Sequence, residues 1–111
     1  MAQSIPAQTL PLKSTGAIAR RRFVTAAGAQ AGAKSNTLGV SRYPVGADEE
    51  VPVDNLGTTE VEAGGAIAAG GAIETDADGK AVAHTDGPVV ARALEAAAAD
   101  GDIIEAVLIP N

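Results

Sequence analysis

The chain contains no cysteine and no tryptophan, and its only aromatic residues are Phe23 and Tyr43. Without cysteine there can be no disulfide bonds and no cysteine-based metal site. Proteins that bind nucleic acid use basic surfaces and aromatic rings that stack on bases, whereas this chain carries a net charge of −6. We therefore expect no nucleic-acid partner.

Long hydrophobic runs are also missing. No apolar stretch approaches the roughly 20 residues that a helix needs to cross a bilayer. The opening sequence MAQSIPAQTLPLK lacks the basic and apolar regions of a secretory signal peptide. We therefore expect neither a membrane span nor a membrane partner.

Large apolar side chains are scarce, because alanine supplies 25 of the 111 residues. A buried leucine or isoleucine contributes about 1.5–3 kcal/mol, and a buried alanine contributes much less. A chain of this length forms one domain with a modest core. Such a domain is expected to gain stability from self-association or from lying on a larger surface.

Residues 1–15 are predicted to form an extended N-terminal arm. Pro6 and Pro11 restrict themselves and the residues before them to extended conformations. An extended segment with spaced apolar residues suits strand addition on a partner, and a disordered terminus is the alternative. The spaced apolar residues of the arm are Ile5, Leu10 and Leu12.

Residues 16–111 are predicted to form a β-rich domain, because short β-branched segments alternate with turn signals such as DNLG at residues 54–57. This pattern is typical of an all-β fold, either a small barrel or a sandwich of short strands. The sequence TDADGKAV predicts a tight hairpin, since Asp-Gly suits the positive φ angles of the turn. The stretch GGAIAAGGAI predicts bends, because it lacks the Lys-Ser/Thr of a phosphate loop.

The C-terminal sequence VVARALEAAAADGDIIEAVLIPN, residues 89–111, permits two structures. Alanine has the highest helix propensity, so a helix followed by a strand is one of them. That helix would have Leu94 as the only large residue of its apolar stripe beyond Val90, and helices in proteins depend on packing such a stripe. We therefore favour two strands that pair across AAADGD.

Residues that could carry enzyme chemistry are few. His84 is the only histidine, and no serine or aspartate is spaced to form a catalytic triad with it. The DADG sequence at residues 76–79 resembles the start of a calcium loop, but Gly87 occupies the position of the bidentate glutamate. We predict that the protein is not an enzyme and that it binds no metal or cofactor.

The one concentrated basic feature is the run Arg20-Arg21-Arg22. If this run lies on a strand, Arg20 and Arg22 share a face. It is then either a solvated strand edge or a contact for an acidic protein surface. The acidic cluster Asp48–Glu50 is a possible mate, within the chain or across a subunit boundary.

Three collinear stretches carry a family resemblance, which covers about residues 16–109. They are RRFVTAAGAQAGAKSNTLGVSR at 21–42, VDNLGTTEVEAGGAIAAGGAIETDADGKAV at 53–82, and the C-terminal sequence at 89–111. Together they resemble the capsid cement, or head decoration, proteins of tailed bacteriophages. The order of the elements carries this resemblance, since none of them is specific by itself.

The resemblance implies a structural virion protein on the outer capsid surface, made in the host cytoplasm. Its implied partners are the major capsid protein and further copies of itself, as a homotrimer. It would stabilise the expanded shell by bridging coat subunits. The alternative is a small β-rich ligand-binding or scaffold module of a soluble assembly. The residues expected to contact the capsid are Ile5, Pro6, Leu10, Leu12, Arg20 and Arg22.

Overall fold

A computed structural model describes residues 5–111, apart from the side chain of Pro6, and the regular structure in this range is entirely β-strand. None of the described residues belongs to a helix that could span a membrane. The strands are β1 (Ile5–Lys13), β2 (Phe23–Val24), β3 (Gly39–Ser41), β4 (Glu50–Glu62), β5 (Ala72–Thr75), β6 (Ala81–Ala83), β7 (Ala91–Ala93) and β8 (Ile103–Leu108).

The eight strands form one antiparallel sheet in the order β2-β3-β4-β8-β7-β5-β6, with β1 added to β4. The two ends of this order approach each other. The backbone N–H of Phe23 donates to the Gly79 carbonyl (2.8 Å), and Ala63 forms a bridge with Ala81. The result is a nearly closed, barrel-like sheet, which confirms the predicted all-β fold.

The predicted arm contains β1 and pairs along the first part of β4. Eight register pairs run from Ile5 opposite Thr58 to Lys13 opposite Glu50, with irregularities on both sides of Gln8. Beyond Lys13, the backbone N–H of Ser14 donates to the Glu49 carbonyl (2.8 Å). Residues 5–13 of the predicted arm therefore form a strand that belongs to the same sheet as the rest of the chain.

The turn predicted from DNLG is wrong, because β4 continues without a break through residues 54–57. Thr9 and Val40 both pair with Asp54, so β1 and β3 flank β4 on opposite edges at this point. Asparagine and glycine favour turns when their backbone groups lack other partners. Here β1 pairs with Asp54, Leu56 and Gly57, and β3 adds a pair at Asp54, so the segment is held extended.

At the C-terminus the strand prediction is confirmed and the helix alternative is wrong. In β7, Ala91 and Ala93 pair with Leu108 and Ala106 of β8. The Asp102 carboxylate accepts hydrogen bonds from the backbone N–H groups of Ala98 (2.8 Å) and Ala99 (3.2 Å). Because a side chain holds these N–H groups, the alanine run forms a structured loop between two strands.

The predicted hairpin TDADGKAV is confirmed as β5 and β6, which pair from Thr75 opposite Ala81. The Asp76 carboxylate accepts hydrogen bonds from the backbone N–H groups of Asp78 (2.8 Å) and Lys80 (2.9 Å). Gly79 has a φ of +74°, a conformation that glycine adopts without steric cost. The bends predicted for GGAIAAGGAI also form, since Gly64 and Gly65 lie in a bend and Gly70 lies in a turn.

The interior has two parts and is rich in alanine. The main cluster lies inside the barrel-like sheet, and Phe23 is its largest fully buried side chain. A second, smaller cluster lies under the first half of β4, where Leu12 of β1 packs against it. Small side chains allow the strands to enclose a narrow interior. The alanines of the main cluster are Ala31, Ala63, Ala81, Ala91, Ala93, Ala97 and Ala106.

Candidate interaction surfaces

The three consecutive arginines lie in a turn before β2. The expectation that they lie on a strand is wrong, because β2 begins at Phe23 and Arg21 has a φ of 58°, in the left-handed region. The terminal nitrogen Nη2 of Arg21 lies 3.8 Å from a Glu60 carboxylate oxygen. The turn therefore breaks the strand alternation that would have given Arg20 and Arg22 a common face.

Arg22 belongs to an ion-pair network inside the chain. Its guanidinium donates to the Asp78 carbonyl (3.0 Å) and to the Glu62 carboxylate (3.3 Å). The second oxygen of Glu62 lies 3.3 Å from the Lys80 ammonium, which also contacts Asp100 at 2.9 Å. The hydrogen bond to Asp100 is the main reason that the pKa of Lys80 is raised. The network joins β4 to the β5–β6 turn and to the loop after β7.

Arg20 lies on an open pocket of about 170 Å³. Its side chain is exposed and has no ion-pair partner among residues 5–111. The pocket combines three arginines, the only tyrosine and two carboxylates. Its lining residues are Arg20, Arg21, Ser41, Arg42, Tyr43, Asp54, Thr59 and Glu60.

A buried carboxylate lies beneath this pocket. Asp54 is 1% exposed and accepts hydrogen bonds from the hydroxyl groups of Thr9 (2.8 Å) and Thr59 (2.9 Å). The same carboxylate lies 3.6 Å from Nε of Arg42. Asp54 therefore connects β1, the middle of β4 and the residue that follows β3. The side chain of Arg42 remains 41% exposed.

The acidic cluster Asp48–Glu50 forms no ion pair with the arginine run in the described structure. The ion-pair partners of Arg21 and Arg22 are instead Glu60 and Glu62 on β4. All three acidic residues of the cluster are exposed. The sequence alone does not show which carboxylates pair with Arg21 and Arg22. Strand pairing in the folded protein brings Glu60 and Glu62 to these arginines.

The predicted apolar contacts of the arm have different environments. Ile5 is 61% exposed, near the end of the paired β1–β4 ribbon, whereas Leu12 packs against the second core cluster. Leu10 is half-buried. At the backbone level Pro6 pairs with Gly57, and its side chain lies outside the described part of the structure.

Leu56 is an exposed apolar residue that the sequence reasoning missed. It lies on β4, is 39% exposed and pairs with Gln8 of β1. The DNLG sequence predicts a turn at this position, and a turn residue gives no strand surface. Ile5 pairs with Thr58, two residues further along β4, so the two exposed apolar residues lie near each other in the register of the β1–β4 ribbon. We call Ile5 and Leu56 the ribbon tip.

Glu74 of β5 is 3% exposed and holds the loop 84–87. Its carboxylate accepts hydrogen bonds from the backbone N–H groups of Thr85 (2.8 Å) and Gly87 (3.0 Å) and from the Thr85 hydroxyl (3.1 Å). The bond from the Thr85 backbone is the main reason that the pKa of Glu74 is lowered, and nearby Lys34 acts in the same direction. The role of this buried carboxylate is structural.

His84 lies in the same loop and contacts the Gly87 carbonyl through Nε2 (2.9 Å). Within residues 5–111, no group of three or more histidine, aspartate or glutamate side chains is arranged to hold a metal ion. Asp76 begins the DADG sequence that resembles the start of a calcium loop. Its carboxylate accepts the backbone hydrogen bonds of the β5–β6 turn.

Comparisons with known proteins agree with the observed fold. A family model described as phage cement protein matches residues 2–109. A similar solved structure is the N base of the head fiber protein gp8.5 of bacteriophage phi29. Its TM-score is 0.76 at 21% sequence identity, with 92% of this chain and 93% of the other chain covered. No curated protein matches the sequence significantly.

Proposed function

The chain belongs to the phage cement protein family, a family of capsid-associated structural proteins, and we propose that it binds the outer surface of the expanded head. There it would stabilise the shell by bridging neighbouring coat subunits. The observation that carries this proposal is the family match, which extends over nearly the whole chain.

The ribbon tip is the best candidate for an apolar contact with the coat protein. Ile5 and Leu56 are both exposed large apolar residues, and burial of their exposed parts against a partner would together contribute about 1.5–3 kcal/mol. Of the other residues predicted to contact the capsid, we retain Pro6, Leu10 and Arg20 as candidates. We now assign Leu12 and Arg22 to the fold, because they pack or pair within the chain.

We further propose that the protein acts as a self-associated unit, as a homotrimer on the capsid. A unit that touches several coat subunits gains by effective concentration, so its avidity can exceed a single-site affinity by roughly 10²–10⁴. Binding only to the expanded lattice would stabilise that lattice by linkage. The alanine-rich interior supports this proposal, because the subunit has little core of its own.

The test is an add-back experiment with capsids that lack this protein. Expanded and unexpanded capsids are incubated with the purified protein, sedimented and analysed for bound protein. We expect saturable binding at a fixed ratio to coat protein on expanded capsids, together with DNA retention to a higher temperature. Absence of binding to expanded capsids, or binding without any increase in their stability, would contradict the proposed function.

A further inference from the structure

Within residues 5–111, the arginines Arg20 and Arg42 and the carboxylates of Asp48 and Glu50 form no ion pairs with each other. Arg20 has no ion-pair partner in the described range, and Arg42 has only Asp54, through Nε. The carboxylates of Asp48 and Glu50 are exposed and have no partner among residues 5–111. The same chain therefore offers both halves of an ionic contact.

We propose that the pocket lined by Arg20, Arg42 and Tyr43 receives the acidic loop 48–50 of a second copy of this chain. The proposal rests on the self-association that forms part of the proposed function, and it assigns that association a surface. We call these two features the arginine pocket and the acidic loop.

The composition of the arginine pocket is that of a protein contact. It contains three of the chain's eight cationic residues, although the chain has a net charge of −6. It also contains Tyr43, which is 59% exposed. Arginine and tyrosine are enriched at the energetic centres of protein interfaces. A guanidinium group also binds a carboxylate through two parallel hydrogen bonds.

The acidic loop is held in place before any partner arrives. The backbone N–H groups of Asp48 (3.0 Å) and Glu49 (3.1 Å) donate to the carbonyl and hydroxyl oxygens of buried Ser14. The Glu49 carboxylate in turn accepts a hydrogen bond from the backbone N–H of Gly46 (3.1 Å). A loop that is already ordered loses less conformational entropy on binding. The backbone that carries Asp48 is thus held in place, and Glu50 is fixed in register as the first residue of β4, opposite Lys13.

A carboxylate partner fits this pocket better than a nucleic acid does. Binding to a nucleic-acid backbone uses several cationic contacts along an extended surface, whereas this site is one pocket that already contains Asp54 and Glu60. The net charge of the chain would also repel a polyanion. A single carboxylate-bearing loop requires only the two guanidinium groups of Arg20 and Arg42.

The proposed contact is head-to-tail, because the pocket of one copy meets a different surface of the next. Heterologous contacts of this kind form rings when the rotation closes. In a closed ring the pocket of every copy binds the acidic loop of one neighbour, and its acidic loop binds the pocket of the other neighbour. The contact is thus compatible with a trimer, and it removes unpaired charge from both surfaces of every subunit.

Charge reversal tests the contact. Arg20→Glu and Glu50→Arg are made singly and together, and the mass of the assembly is measured by sedimentation in solution and by crosslinking on expanded capsids. Each single reversal should weaken self-association at least tenfold. The double variant should restore it, since the reversed pocket then meets a reversed loop. Arg92→Glu is the control, because it makes the same charge change on an exposed residue outside the pocket.

Several outcomes would overturn the proposal, and they separate its failure from that of the proposed function. If the wild-type protein associates but Arg20→Glu associates equally well, the pocket assignment fails and self-association stands. If Arg20→Glu assembles normally but no longer binds capsids, the pocket faces the coat protein. If the wild-type protein is monomeric both free and on capsids, self-association itself fails.

If labelled DNA binds the wild-type protein but not Arg20→Glu, the pocket binds phosphate. Thermal unfolding confirms that each variant is folded, and Asp48→Arg replaces Glu50→Arg if the latter does not fold.

Discussion

At the scale of single residues, two positions in the middle of the sheet determine how closely its strands approach. Asp54 connects three segments through its buried carboxylate. Gly39 on β3 lies directly against the backbone of Asp54. A Cβ atom at Gly39 would lie 2.0 Å from the Asp54 carbonyl oxygen, far inside van der Waals contact. The pairing of β3 with β4 therefore depends on the missing side chain.

We predict that Gly39→Ala destabilises the protein by about 1–3 kcal/mol, the usual cost of overpacking. The backbone of β4 would have to move, and it is held on its other edge by β1. Gly65→Ala is the matched control, because no atom lies within 4 Å of a Cβ built there. Neither glycine has a positive φ, so backbone strain does not confuse the comparison.

Chemical denaturation of both variants measures the difference. Gly65→Ala should leave the free energy of unfolding unchanged or raise it slightly, since alanine restricts the unfolded chain. Equal stabilities for the two variants would mean that β3 and β4 do not approach each other as described.

At the scale of elements, the barrel-like sheet is held together partly by carboxylates that bind loops to strands. Glu74 of β5 receives three hydrogen bonds from Thr85 and Gly87 in loop 84–87. Lys34, which precedes β3, pairs with Asp86 in the same loop. The hydrogen bond from Lys34 is the main reason that the pKa of Asp86 is lowered.

We predict that Glu74 makes the fold sensitive to acid. Its pKa in the folded protein lies below its ordinary value of 4.5, so the unfolded chain takes up a proton first as the pH falls. The contribution of Glu74 to stability is therefore complete above about pH 4.5 and is lost as the pH falls through the lower, folded pKa. Glu74→Gln cannot ionise and should flatten this part of the stability curve.

Thermal unfolding between pH 3 and pH 7 checks this prediction, with Asp86→Asn as the control. The side chain of Asp86 is 73% exposed, so solvent screens its ion pair and its removal should change the curve less. If Glu74→Gln shows the same loss of stability in acid as the wild-type protein, another group is responsible.

At the scale of the whole molecule, a small interior contrasts with an apolar tip left in solvent. The main core cluster is nearly half alanine, yet the ribbon tip keeps Ile5 and Leu56 exposed. The two exposed side chains add little to the stability of the isolated subunit, although the chain has few large apolar residues. Their burial against a partner would supply stability that the isolated subunit lacks.

We predict that replacing the ribbon tip, as Ile5→Ser with Leu56→Ser, weakens binding to expanded capsids at least tenfold. Ile5 is 61% exposed and Leu56 is 39% exposed, so complete burial of both removes about one whole side chain from water. That burial contributes about 1.5–3 kcal/mol, which covers the roughly 1.4 kcal/mol that a tenfold change requires. Leu94→Ser is the matched control, because Leu94 is 50% exposed and lies in the loop after β7. Co-sedimentation with expanded capsids measures the difference.

The ribbon-tip variant and Leu94→Ser should both unfold at nearly the same temperature as the wild type, since the substituted side chains are exposed. Full capsid occupancy by the ribbon-tip variant at wild-type concentrations would exclude this surface from the interface. A capsid-binding defect in Leu94→Ser alone would place the interface on the loop after β7.

The all-β class, the β5–β6 hairpin and the C-terminal pair of strands were predictable from the sequence. Each depends on residues close together in the chain: Asp-Gly suits a tight turn, and a mostly alanine stripe gives a helix little to pack with. The family resemblance was also carried by short local stretches in a fixed order. Local chemistry thus determined which segments are strands and where most of them turn.

The partners of the charged and apolar side chains were decided only by the tertiary structure. DNLG forms strand because β1 pairs with β4 at Asp54, Leu56 and Gly57, and β3 adds a pair at Asp54. For the same reason Leu56 becomes a surface residue. Arg22 pairs with Glu62, which lies 40 residues away in sequence. Strand pairing brings such distant residues together, and nothing local to either residue encodes which carboxylate or strand edge it will meet.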